Sequence, residues 1–304
     1  MIYSDLIFDY CPFCGTKVKT KYFCHNCQKS FQILTEFGSI DPDLISEIKW
    51  NDSITTYQKE IILEILSECV KIDGGSFTMG TNNVDRKIHE NKGEKSFHCP
   101  HRVTLSSFYI SKFLVTQRQW FAFMPQHKCN NIGEQYPVDT ISWHDCIAFC
   151  KKLKELSGIN FAMPTEAQWF FVAKECDDFN TNIYSGGNTL DTHAWTKQNS
   201  EGISHRPGLK MPNKLGIYDM SGNLSELCLD RWGYWDKTPL TNPYRPIGER
   251  GNMVRKGGSF SRSNYDEFLE SYNINSRDCR ADSANMDDSG FRLAIYDADT
   301  LTAF

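Results

Sequence analysis

Gly216-Ile217-Tyr218-Asp219-Met220-Ser221-Gly222-Asn223-Leu224-Ser225-Glu226-Leu227-Cys228 is the stretch on which the reading of this chain turns. Short side chains, glycines and two carboxylates sit here between hydrophobic anchors. That mixture predicts an oxygen-rich turn rather than a plain helix or strand.

The chain has 304 residues, of which 40% are hydrophobic and 13% aromatic. That length and composition bury a full core as one large domain or two smaller ones. The formal charge of −5 is spread without a strong bias. Nothing global therefore calls for nucleic acid or an anionic membrane. Residues 1–10 lack a basic start and a long apolar run, so no signal peptide is expected. No run approaches the ~18 apolar residues of a membrane span. The expected location is the cytoplasm, where twelve cysteines read as metal ligands and buried thiols rather than disulfides.

Four of those cysteines stand as two knuckles, Cys11-Pro-Phe-Cys14 and Cys24-His-Asn-Cys27. This spacing predicts a zinc ribbon over residues 1–37, with four thiolates at ~2.3 Å around one structural Zn²⁺. A filled thiolate shell leaves no open position for catalysis. Lys17, Lys19 and Lys21 give the ribbon a basic face, read as solvated, with nucleic-acid or protein docking as the alternative. Cys146 and Cys150 share one helix face and read as small buried hydrophobes.

Residues 38–67 read as a polar linker followed by an amphipathic helix, with apolar positions 61, 62, 65 and 66 on one face. Cys69–Ile72 predicts a strand, and His101–Ile110 alternates as another. Thr116, Ser142 and Thr165 are predicted caps of helices over Gln117–Met124, from Trp143 to about Leu156, and from Glu166 onward. Gly158 closes the second. Beyond Cys176 the chain is rich in Gly, Asn, Asp and Ser, which predicts irregular structure held by polar contacts.

The order of these blocks resembles the formylglycine-generating-enzyme, or sulfatase-modifying-factor, superfamily. Gly74–Gly80 resembles its opening glycine-rich strand. His101-Arg102-Val103-Thr104-Leu105 with Val115-Thr116-Gln117 resembles the next block. Ser142-Trp143 and Met163-Pro164-Thr165-Glu166-Ala167-Gln168-Trp169 follow, then Pro212–Glu226, Arg255–Phe260 and Gly290-Phe291-Arg292-Leu293. The match runs over about residues 68–296 of a third unit, 68–304. The resemblance implies an α+β fold, low in regular secondary structure and C-type-lectin-like, appended to the ribbon.

The resemblance also bears on chemistry. Copper oxidases of the family hold Cu(I) with two cysteines shortly after the glycine pair. Here those positions carry Arg262 and Glu267, neither of which replaces a thiolate toward Cu(I), so no copper is expected. The sulfoxide synthases of the superfamily hold iron with three histidines and a His-x3-His-x-Glu motif that this chain lacks. His89, His98 and His101 beside Cys99 read as a strand residue and a polar loop rather than a metal centre. The family's calcium turn carries over onto Asp219, the carbonyls of Gly222 and Leu224, and Glu226, which are hard oxygen donors.

The segment between the glycine pair and Gly290 faces the ligand in relatives. Here it carries Arg262, Asn264, Tyr265, Asp266, Tyr272, Asn273, Arg277 and Asp278, a composition suited to adaptable recognition of a protein or small polar ligand. The expected function is therefore a non-catalytic binding or regulatory module. Its alternatives are a metal-dependent oxidoreductase of the superfamily and a retroelement-diversified lectin-like binder.

Overall fold

The computed structural model describes residues 40–81, 99–246, 251–261 and 269–296. The cysteines of the expected ribbon, Cys11, Cys14, Cys24 and Cys27, lie outside the described residues, as do His89, His98, Arg262, Asn264, Tyr265, Asp266 and Glu267.

Helix starts follow the local chemistry of their caps. After the short α1 (Pro42–Glu47), each of α2 (Thr56–Ser67), α3 (Gln117–Phe121), α4 (Trp143–Ser157) and α5 (Glu166–Ala173) opens on a capping box. A Thr or Ser hydroxyl accepts from the third helical amide, and the side chain three residues on accepts from the cap amide. Two otherwise unpaired donors are thus satisfied at each start. Gly158 ends α4 in the left-handed region at φ 77°. Helix α3 stops at Phe121, short of the expected Met124. Pro125 follows Met124, and the residue before a proline disfavours helical backbone.

Three small sheets carry the strands. The first has the order β1 (Cys69–Ile72), β4 (Phe108–Ser111), β11 (Ala294–Ile295), β5 (Phe161–Ala162), all antiparallel. The second has β2 (Gly75–Met79), β3 (His101–Leu105) and β7 (Leu240–Thr241). The third has β10 (Ser289–Gly290), β6 (Ser225–Arg231), β8 (Asn252–Lys256) and β9 (Asp278–Ala281).

Two expectations are corrected here. His101–Ile110 is not one strand but two, β3 and β4, in different sheets. The chain steps between sheets at Ser106-Ser107, where Asn242 Oδ1 accepts from Ser106 N and Ser107 Oγ accepts from Gly74 N. Gly74 has to be a glycine, because a Cβ there would lie 2.3 Å from Leu105 O. The region beyond Cys176 is irregular only to about Leu224, apart from the short α6 (Leu190–His193). It then builds the third sheet. Strand β6 escapes an alternation test because six of its seven residues are buried, on both faces. Leu227 and Leu229 join one core cluster and Cys228 the other.

The larger cluster gathers Trp120, Phe149 and Phe291 with Ile61, Ile62, Leu63, Ile65 and Leu66 of α2. Ile40, Leu44 and Ile54 belong to it as well, so the stretch read as a linker is anchored in the core. Each such burial stabilises by roughly 1.5–3 kcal/mol, more than the ordering cost of about 1–2 kcal/mol for a fixed residue. The second cluster packs Phe77, Trp169, Phe170 and Phe171 behind β2 and β8.

Candidate functional site

Gly216–Leu224 is a turn, and Ser225 begins β6, so the opening stretch divides between the two. Asp219 and Asn223 take left-handed backbone, φ 57° and 62°, a region Asp and Asn tolerate better than most residues. Gly222 packs so tightly that a Cβ would sit 2.4 Å from Trp195 O. Asn223 pins the neighbouring loop: its Oδ1 accepts from His205 N at 3.0 Å and its Nδ2 donates to His205 O at 3.0 Å. Gly222 N donates to Gly257 O at 2.8 Å, and Phe260 N to Asn223 O at 2.8 Å. The turn thereby docks onto the glycine pair Gly257-Gly258 that precedes the expected ligand-facing segment.

Its carboxylates are engaged within the protein. Asp219 Oδ2 accepts from Gly208 N at 2.8 Å, and burial pushes its carboxyl up to about 6 against the pull of that bond and of Arg292. Glu226 is fully buried and bound two-pronged to Arg292, at 2.6 Å from Nη2 to Oε1 and 2.6 Å from Nε to Oε2. Arg292 also donates to the carbonyls of Ser111, Lys112 and Tyr218. A guanidinium thus supplies the positive charge that the calcium reading assigned to an ion. Both Glu226 oxygens accept from Arg292, and a Ca²⁺ at the same carboxylate would meet that guanidinium charge. The turn as built does not fit calcium. Among the described residues no group of three or more His, Cys, Asp or Glu side chains is placed to hold a metal ion.

A second charged layer gathers Glu166, Asp230, Arg255, Lys256 and Arg277. Glu166, at the start of α5, is fully buried and paired with Arg277 Nε and, at 2.7 Å, Nη2. Burial pushes the Glu166 carboxyl up, but Arg277 and Lys256 outweigh it and hold it below its ordinary value. Lys256, also buried, donates to the carbonyls of Ile274 (3.0 Å) and Ser276, and burial pushes its amine down to about 8. Asp230 accepts from Glu166 N and Arg245 N and is pushed up to about 7, first by burial and then by the Glu166 charge. Arg255 bridges Asp278 and Asp288, each at 2.6 Å. Asp288 also accepts from Ser259 Oγ at 3.0 Å, which ties β8 to the loop before β10.

Two of the expected ligand residues face inward in the structure. Tyr272 is buried, its hydroxyl donating to Ser259 O at 2.9 Å and its carbonyl accepting from Ser221 Oγ at 2.9 Å. Arg277 turns inward to Glu166 and lies over the Trp232 ring, 4.5 Å from its centroid. A desolvated guanidinium gains more from a buried carboxylate than it would at the surface. Asn273 and Asp278 stay partly exposed. Asn273 Oδ1 accepts from Asn275 N, and Asp278 is shared between Arg255 and Arg280. Sequence reasoning missed Lys256, Asp230 and Asp288 as members of the frame. The signal available for Lys256 was a charge at the end of an otherwise strand-like run, Met253-Val254-Arg255-Lys256.

Burial disfavours the reactive thiolate at the core cysteines. Cys146, Cys150 and Cys228 are fully buried, and desolvation raises all three well above the ordinary thiol range. Cys279, on β9, is likewise pushed up by burial. Among the described residues no helix is long and apolar enough to cross a membrane.

Mixed helices and small sheets held by buried ion pairs, with a glycine-pinned turn at their centre, define the class. The chain belongs to the family of sulfatase-modifying factor enzyme 1-like domains, whose model matches residues 62–296. It is 28% identical to the chaperone protein LppX of Paenibacillus barcinonensis, over 62% of this chain and 80% of the relative. It is 24% identical to the formylglycine-generating enzyme of Thermomonospora curvata, over 76% of this chain and 94% of the enzyme. Among solved structures, Treponema denticola variable protein 1 superposes with a TM-score of 0.64 at 24% identity, covering 75% of this chain and 94% of that one. PvdO from Pseudomonas aeruginosa does so with a TM-score of 0.62 at 21% identity, covering 75% and 93%.

Proposed function

We propose that this protein is a non-catalytic binding or regulatory module of the family, presenting the segment from Arg262 to Asp278 to a protein or small polar ligand. One observation carries the reading. Cys279 is the single cysteine between Gly257 and Gly290, and the positions that the resemblance assigns to the copper thiolates hold Arg262 and Glu267. One thiol, set on β9 and pushed up by burial, is a poor Cu(I) donor. The proposed recognition residues are then Arg262, Asn264, Tyr265 and Asp266 with the partly exposed Asn273 and Asp278, while Tyr272 and Arg277 are inward-facing. The relationship to LppX, named as a chaperone protein, is consistent with binding as the task of such a chain. The Cys11, Cys14, Cys24 and Cys27 ribbon is proposed to hold one structural zinc, and the cytoplasm is the proposed location.

Metal analysis of the purified full chain tests the reading. Zinc near one equivalent, with no copper or iron and no formylglycine formation, is the expected result. A second reading, a metal-dependent oxidoreductase, is favoured by the match to the Thermomonospora curvata enzyme over nearly its full length. Stoichiometric copper or iron would establish it and overturn the first.

A further inference from the structure

Between α4 and β5, the outer strand of the first sheet, lies a groove of about 310 Å³. The buried Ile147, Cys150, Phe161 and Ala162 form its floor, and Lys151, Lys154 and Glu155 its rim. Glu155 is already matched, by Lys152 at 3.1 Å. The side chains of Lys151 and Lys154 make no ion pair among the described residues. Two unmatched ammonium groups over an apolar floor suit an occupant that is acidic at one end and apolar at the other.

The chain itself carries such a segment at the mouth of the groove. Strand β11 pairs with β5, Ile295 opposite Phe161, and Tyr296 N carries the ladder on to Asn160 O. The chain thus leaves the described fold beside Asn160, two residues from Gly158, where α4 ends. Asp297-Ala298-Asp299-Thr300-Leu301-Thr302-Ala303-Phe304 follows, outside the described residues. Its acids come first, its large apolar side chains last, and it has no lysine or arginine. The groove has the same order, with Lys154 and Lys151 nearer Gly158 and Ile147 farther back along α4. From Gly158 to Ile147 the helix covers about 16 Å, and eight extended residues reach roughly 26 Å. The segment is long enough to round the end of β5 and run the length of the groove.

We propose that residues 297–304 are the occupant of this groove, a strap laid antiparallel to α4. Asp297 and Asp299 face Lys154 and Lys151, and Leu301 and Phe304 cover Ile147, Phe161 and Ala162. Seated there, the strap closes the outer side of β5, where a strand from another chain would otherwise add. It shares no residue with the Arg262–Asp278 segment, so either proposal stands if the other fails.

The experiment treats the full chain with a limiting amount of an amine-acetylating ester and follows each lysine by mass spectrometry. Compared with a chain ending at Tyr296, Lys151 and Lys154 are expected to react about threefold more slowly, as for a strap seated about two thirds of the time. Lys152, on the same helix and paired with Glu155, keeps its rate and serves as the internal reference. Leu301→Ser with Phe304→Ser in the full chain leaves both acids in place and restores the faster rates. Asp297→Asn with Asp299→Asn does the same. With a benzophenone side chain at position 304, irradiation is expected to join that position to the Ile147–Glu155 stretch of the same chain. Equal rates at Lys151 and Lys154 with and without the segment overturn the proposal, as do adducts elsewhere on the molecule. Adducts between two chains also overturn it, since the occupant would then come from a second copy.

Discussion

Glu226 and Arg292, sixty-six residues apart, meet as a fully buried ion pair with both guanidinium prongs on both carboxylate oxygens. The pair joins β6, just after the glycine-pinned turn, to the residues between β10 and β11. Arg292→Met strands a buried carboxylate and is expected to destabilise the protein by about 3–5 kcal/mol, read from the urea midpoint. Adding Glu226→Leu recovers part of that loss. Recovery is incomplete because the carbonyls of Ser111, Lys112 and Tyr218 lose their donor. A single variant as stable as wild type would remove the pair from the frame.

Arg277 and Asp278 are neighbours in the chain with opposite expected roles. Arg277→Ala leaves Glu166 buried and unpaired, a loss of about 3–5 kcal/mol. Asp278→Asn costs about 1 kcal/mol or less, because its side chain is 33% exposed and Arg255 keeps Asp288. Ligand binding at the segment is expected to respond to Asp278→Asn without a matching change in melting temperature. The reverse ranking of stabilities would place Arg277 at the surface after all.

Four acids are held above their ordinary values by burial: Asp139, Glu68 at about 7, Asp219 at about 6 and Asp230 at about 7. In the unfolded chain they titrate near 4. Between about pH 4 and pH 7 the folded state therefore binds more protons, and these groups lower stability as pH rises, with no further loss above about 7. Glu68→Gln removes one of them. Relative to wild type, the variant should gain roughly 1–3 kcal/mol between pH 4.5 and pH 8. Unfolding curves at the two pH values measure the gap, and a gap independent of pH would contradict the burial of Glu68.

Metals separate the two ends of the chain. Chelating calcium is expected to leave the melting temperature within about 1 °C, whereas an ion bound at a hundred times its Kd would add about 2.7 kcal/mol. A calcium-dependent rise that Glu226→Gln abolishes would restore the turn as a calcium site. Replacing Cys11 and Cys14 with serine is expected to remove about one zinc per chain, with the unfolding transition of residues 62–296 preserved. Zinc retained in that variant would refute the ribbon.

Helix starts were legible from sequence because a cap is a contact between a residue and its third neighbour. Thr116, Ser142 and Thr165 could thus be named without any tertiary information. Strand β6 was not legible, because alternation shows only when one face meets water, and both faces of β6 meet protein. At the candidate site, the glycine pair and the polar segment after it could be read. Tyr272 and Arg277 read as surface residues, because tyrosine and arginine serve equally well in a recognition loop and in a buried frame. Only the presence of Ser259 O and Glu166 beside them decides which.

By itself, the sequence determined the order of the family's blocks, the caps and the want of a second thiol after Gly257-Gly258. These are properties of neighbours along the chain. The tertiary structure alone decided how the charges pair. Asp219, Glu226 and Glu166 look alike as carboxylates in a list, yet one is held by backbone and side-chain amides and the other two by arginines 66 and 111 residues away. A buried charge must be matched where it is desolvated, and its match is set by which distant segments the fold brings together. That is why the stretch from Gly216 to Cys228, read as a calcium turn, is built as the seat of Arg292.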